Sequence, residues 1–186
     1  MGHRKSRGFT FIEAMMVMVI IGVIAASGAY VMLYVVQNSV FIPNKLNVEM
    51  IGQDLLDIML EGDPSAKGLR LSNSITTASA NTVGFINTTG QTVEFLWDGV
   101  AKRINRRING ASWIIVPGYV PTGVYIDRKG ASSVFTYYDA NEAQTSTPAN
   151  VRRIKIEFKV TSGTGVYSDW QSEAEFSSSM AVRKFQ

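Results

Sequence analysis

Apolar and polar positions fall into three regimes along the chain. From Ala14 to Val36 there is no Asp, Glu, Lys, Arg or His, and Val, Ile, Met, Leu and Ala dominate. At about 1.5 Å of rise per residue this run makes roughly 35 Å of helix, against a bilayer core of about 30 Å. Residues 14–36 therefore read as a transmembrane segment. It holds no Pro, and Gly22 and Gly28 can serve as close-packing points. A second regime follows, with Leu46, Met50, Ile51, Leu55, Ile58 and Met59 spaced mostly by three and four, and Glu49, Gln53, Asp54 and Asp57 on or beside the other face. That spacing predicts an amphipathic helix whose stripe is core. Between the two lies Pro43, and an interior Pro costs about 3 kcal/mol, so a kink or short break is expected near Phe41 to Pro43. Glu61-Gly62-Asp63-Pro64 carries the stop signal.

Beyond it the period drops to two. Residues 65–81 are small and polar, with Leu69, Leu71 and Ile75, and read as a crossover with room for one helical turn. Val83-Gly84-Phe85, then Val93-Glu94-Phe95-Leu96-Trp97, then residues 102–108 predict three strands. Turn residues join them: Asn87-Thr88-Thr89-Gly90 and Asp98-Gly99, with Asn109-Gly110 following. Ile104 and Ile108 face one way, with Arg106 between them. Shorter apolar pieces follow at 112–116, 124–126 and 134–138, and a polar loop at 139–150. Residues 151–161 make the best strand, with Ile154, Ile156, Phe158 and Val160 on one face and Arg153, Lys155, Glu157 and Lys159 on the other. Ser162-Gly163-Thr164-Gly165 breaks it, and 176–182 alternates again and should pair with it. The expected architecture is α+β: a long helix over 9–62, membrane-spanning in its first half and amphipathic in its second, packed on a mostly antiparallel sheet within a β-rich globular domain over 63–186.

Composition sharpens this picture. The chain has 186 residues, with 18 Lys+Arg and 15 Asp+Glu. Arg4, Lys5 and Arg7 stand in the first eight residues with no acid, so the remainder balances at 15 (18 minus 3) against 15. The high pI, about 9.2, belongs mostly to this head and is no nucleic-acid signature. A positive head also places residues 1–8 in the cytoplasm and the rest across the membrane. There is no Cys, and His3 is the sole His. Thiol catalysis and Cys-based metal sites are excluded, and the usual nucleophile–base pairings and commonest zinc ligands are missing beyond the head.

The head itself carries the sharpest motif. Arg4-Lys5-Ser6-Arg7-Gly8 precedes Phe9, Thr10 and Glu13, and the apolar run starts at once. No small-x-small cleavage signal ends that run, as a secretory signal peptide would require. The arrangement resembles the type IV pilin family, including the pseudopilins of type II secretion: a short basic leader ending in Gly, then Phe, Thr and a Glu at the fifth position after the cut. The resemblance implies a prepilin leader over 1–8, cleavage after Gly8 by a prepilin peptidase, and N-methylation of Phe9. It also implies a pilin-like fold, an inner-membrane stage, and assembly with other pilin or pseudopilin subunits into a periplasmic or extracellular filament, without catalysis or cofactor. Glu13 would pair with the Phe9 amine of a neighbouring subunit, because charges buried in a bundle of apolar helices must be paired. In the unassembled chain Glu13 would instead meet the helix macrodipole. The late Phe135-Thr136-Tyr137-Tyr138-Asp139 and Arg152–Phe158 stretches look like minor pilins and J-class minor pseudopilins, and pilus and secretion roles stay open.

Other constellations are weaker. Arg103, Arg106, Arg107, Arg152 and Arg153 would suit phosphates, yet Glu94, Asp98 and Glu157 lie close by and favour a solvated mixed face over a DNA site. Asp139, Asn141 and Glu142 have oxygen spacings a calcium loop uses, without its sharp-turn Gly or a full ligand set. Trp97, Trp113 and Trp170 read as core or subunit interface. The alternative to a filament subunit is a membrane-anchored adhesin or a ligand- or DNA-binding module.

Overall fold

The structure, a computed structural model, describes residues 10–163 and 171–182. The chain divides into two compact units, Met1–Val40 and Phe41–Gln186. One helix, α1 (Phe11–Leu60), contributes to both. In the first unit every large apolar side chain from Met15 to Val36 is exposed. By length and composition α1 is long and apolar enough to cross a membrane. The one polar side chain of residues 14–29, Ser27, returns its hydroxyl to the Val23 carbonyl at 2.8 Å, so it adds no bare polar group to the apolar surface.

The expected break at Phe41 to Pro43 is absent, because α1 is helical throughout with Pro43 inside it. Proline removes one N–H and crowds the carbonyl four residues back. That carbonyl belongs to Ser39, an exposed residue whose backbone water can reach. In the second unit the helix buries Val48, Ile51, Gly52, Leu55 and Met59. The stripe is therefore shifted from the expected one: Val48 joins it, while Leu46 and Met50 are exposed. Gly52 is required by close approach, since a Cβ there would lie 2.1 Å from the Phe176 ring. Gly62, at φ +94°, ends the helical path just past Leu60.

A small hairpin, β1 (Gly62–Asp63) with β2 (Ala66–Lys67), leads into a 3₁₀ turn at Leu69–Leu71. Five antiparallel strands then form a meander in chain order: β3 (Ser72–Ala78), β4 (Thr82–Asn87), β5 (Thr92–Asp98), β6 (Arg103–Ile108) and β7 (Ile114–Val116). Strand β3 takes up seven of the seventeen residues expected as a crossover. Its register shifts twice against β4, at Ser72/Ser74 and Ile75/Thr77, and such bulges erase the alternation by which a strand is recognised. The turns follow their residues. Asn109 and Gly110 both take positive φ, as a type I′ turn requires. Asn87 and Asp98 accept backbone N–H bonds on Oδ1.

The second sheet is built on β10 (Arg153–Ser162), whose residues alternate between half-buried and buried without a fault. Strand β11 (Ser172–Ala181) runs antiparallel along one edge, starting four residues before the expected 176. On the other edge β8 (Val124–Asp127) pairs with residues 159–162, and β9 (Phe135–Tyr138) with residues 153–156. One apolar cluster draws on α1 and both sheets, with Phe85, Phe95, Phe135 and Phe158 fully buried. Polar ties join the sheets: Trp97 Nε1–H donates to the Ile126 carbonyl at 3.0 Å, and the Tyr137 hydroxyl donates to the Thr82 carbonyl at 2.7 Å.

Candidate functional site at the helix start

The first described residue, Thr10, caps α1. Its carbonyl accepts the Ala14 N–H at 3.1 Å, the first intrahelical bond. Its hydroxyl accepts the Glu13 N–H at 3.3 Å and donates to Glu13 Oε2 at 3.0 Å. Glu13 Oε2 also accepts the Thr10 N–H at 2.9 Å. Thr10 and Glu13 thus form a reciprocal capping box, satisfying two N–H groups that a helix start otherwise leaves unpaired. The T-x-x-E signature immediately before the apolar run makes this cap readable in the sequence, where Glu13 is read as a partner for a neighbour's amine and as a charge on the macrodipole. Every bond to the Glu13 carboxylate among the described residues falls on Oε2, and the side chain is exposed. A carboxylate is therefore held in one orientation at the edge of an apolar helix. The expected cleavage and methylation positions, Gly8 and Phe9, lie outside the described residues.

Four of the five arginines are engaged by the chain's own groups. Arg106 points into the protein, its side chain 5% exposed, and donates to Asp63 Oδ2 at 2.7 Å and Ser65 Oγ at 3.0 Å. It follows Ile104 by two residues on β6, so it shares that buried face, and the expected solvated position is wrong for it. Partial burial works to raise the Asp63 pKa, but the Arg106 and Ser65 hydrogen bonds outweigh it and lower the carboxyl from 3.8 to about 2. Arg107 pairs with Glu94 and lies 4.6 Å from the Trp113 ring centroid. Arg153 pairs with Glu142 and lies 4.1 Å from that of Tyr138. Arg152 turns back to the Ala149 and Val151 carbonyls.

In the weaker calcium candidate, Asp139 and Glu142 each engage groups of the chain itself. Asp139 Oδ1 accepts the Asn141 and Ala143 N–H groups at 2.8 and 3.0 Å, and Glu142 holds Arg153. Trp97 is core, Trp113 is partly exposed, and Trp170 lies outside the described residues.

Residues 3–29 match the family described as the prokaryotic N-terminal methylation motif. The match takes in Gly8, Phe9, the Thr10–Glu13 box and the apolar run as far as Ala29. It supports a type IV pilin-like prepilin leader and a precursor of the pilin or pseudopilin type, processed at its head and anchored by its helix before assembly. The motif indicates a structural, pilin-type protein. No curated protein and no solved structure matches the chain.

Proposed function

We propose that this chain is a structural, non-catalytic subunit of a type IV pilus or type II secretion pseudopilus. A prepilin peptidase cuts after Gly8 at the cytoplasmic face and methylates the Phe9 amine. The anchored helix then leaves the inner membrane and joins a periplasmic or extracellular filament. The observation that carries this reading is the methylation-motif match over residues 3–29, laid on an exposed apolar helix with a fixed carboxylate at its start.

Glu13 has a second role in the filament. Helix bundling takes both Glu13 and a neighbour's new amine out of water, and each needs the other to offset desolvation. The Thr10 cap engages Oε2 among the described residues, and Oε1, which takes no bond from them, is the oxygen we assign to the ammonium. Such a pair sets axial register more than it adds net stability. Past Val40 the helix keeps Ile42, Leu46 and Met50 exposed at intervals of four, a stripe suited to further helix packing. Produced beside a complete pilus or secretion machine, the chain is expected in the sheared filament fraction. Retention in the membrane fraction, with the machine active on its own subunits, would contradict the proposal.

A further inference from the structure

A groove of about 530 Å³ opens on the globular unit, far in sequence from the helix start. It is walled by the β3–β4 turn at Ser79, by Ser132 and Ser133, by β9, and by residues 144–146, while Lys155 and Glu157 of β10 also line it. Filament assembly through the N-terminal helix makes no use of it.

We infer that this groove is a binding site for a neutral sugar ring. Its volume lies in the range of small-ligand sites, which are otherwise mostly apolar. Here the lining is dominated by hydroxyls and an amide, including Ser79, Ser133, Thr136, Gln144 and Thr145. Hydroxyls both donate and accept, which matches a ligand made of hydroxyls and mismatches a lipid or an apolar molecule.

The charges point the same way. Lys155 Nζ and Glu157 Oε2 pair at 2.7 Å, so the two ions lining the groove cancel. An anionic or cationic ligand finds its counter-charge already engaged. A vicinal diol does not need to break the pair. One sugar hydroxyl donates to the second Glu157 oxygen, and its neighbour accepts one of the remaining ammonium hydrogens. Tyr138 supplies an aromatic wall, one face of which is covered by the Arg153 guanidinium. The C–H side of a pyranose would take the other face. Sugar binding here is independent of filament assembly, so a chain that fails one test can pass the other.

The test uses the full chain in sugar-free detergent micelles, with saturation-transfer NMR. The probes are glucose, galactose and N-acetylglucosamine, with glucuronic acid as the charged control. Transfer to the ring protons of at least one neutral sugar is expected, with glucuronic acid weaker. Glu157→Gln, which abolishes the ion pair, and Thr136→Trp, which fills the groove from a half-buried strand position, should each weaken binding about tenfold or more. Circular dichroism establishes that each variant is folded. No transfer from any neutral sugar to the wild-type chain would overturn the inference. So would preference for the charged sugar, or neutral-sugar binding unchanged in both folded variants.

Discussion

Glu13 Oε2 and the Thr10 N–H meet at 2.9 Å, while the Thr10 hydroxyl accepts the Glu13 N–H in return. The carboxylate that the filament reading needs is thereby held in place before any partner arrives. Cap and ion pair can be separated by substitution. Gln keeps an acceptor oxygen for the cap and loses the charge, so Glu13→Gln should keep its helix and still fail to enter filaments, as Glu13→Ala should. Thr10→Val removes the cap hydroxyl at a cost of about 1 kcal/mol of helix stability and should assemble. Quantifying each variant in sheared filaments decides this. Wild-type incorporation of Glu13→Gln would show that charge pairing is dispensable.

The Asp63–Arg106 pair should control acid stability. The Asp63 carboxyl is lowered from 3.8 to about 2, so it binds protons more weakly folded than unfolded. Its contribution is complete above pH 3.8 and is lost as pH falls through about 2. A shift of this size corresponds to about 2 kcal/mol. Asp63→Asn should lower the thermal midpoint at pH 7 and flatten the dependence between pH 4 and 2. A parallel acid limb in wild type and variant would assign that limb to other groups.

Gly52 tests the packing of the helix on the second sheet. Ala is the better helix former by about 1 kcal/mol, yet its Cβ would stand 2.1 Å from Phe176. Overpacking of this kind costs about 1–3 kcal/mol, so Gly52→Ala should destabilise the chain in thermal unfolding. Adding Phe176→Leu should recover part of the loss, because the two sites share one contact. Stabilisation by Gly52→Ala alone would mean the ring moves aside at little cost.

Much of this architecture is legible in the residues. The charge-free run, the stop at Gly62, the Asn109-Gly110 turn and the alternation of residues 153–160 each rest on a local rule, and the structure obeys each one. Three features depend on tertiary partners that local patterns do not reveal. Strand β3 is polar and bulged, and is held as a strand by its pairing with β4. Arg106 is buried against Asp63 and Ser65, brought in by the β1–β2 hairpin, which both engage one terminal guanidinium nitrogen, while its Nε has no hydrogen-bond partner among the described residues. Leu46 and Met50 fit a helical stripe, yet the core takes Val48 and Gly52 instead, where Phe176 presses on the helix. At the helix start the sequence supplies the full signature, Thr10 to Glu13, and the structure adds which oxygen the cap occupies.

The central claim, that the head is a prepilin leader, is tested most directly by the intact mass of the membrane-extracted protein made with and without a prepilin peptidase. With the peptidase, the account predicts loss of residues 1–8 and gain of one methyl group, leaving 178 residues (186 minus 8) that begin at Phe9. Without it, the full chain should remain. An uncut chain in the presence of an active peptidase would contradict the account and leave a membrane-anchored binding protein in its place.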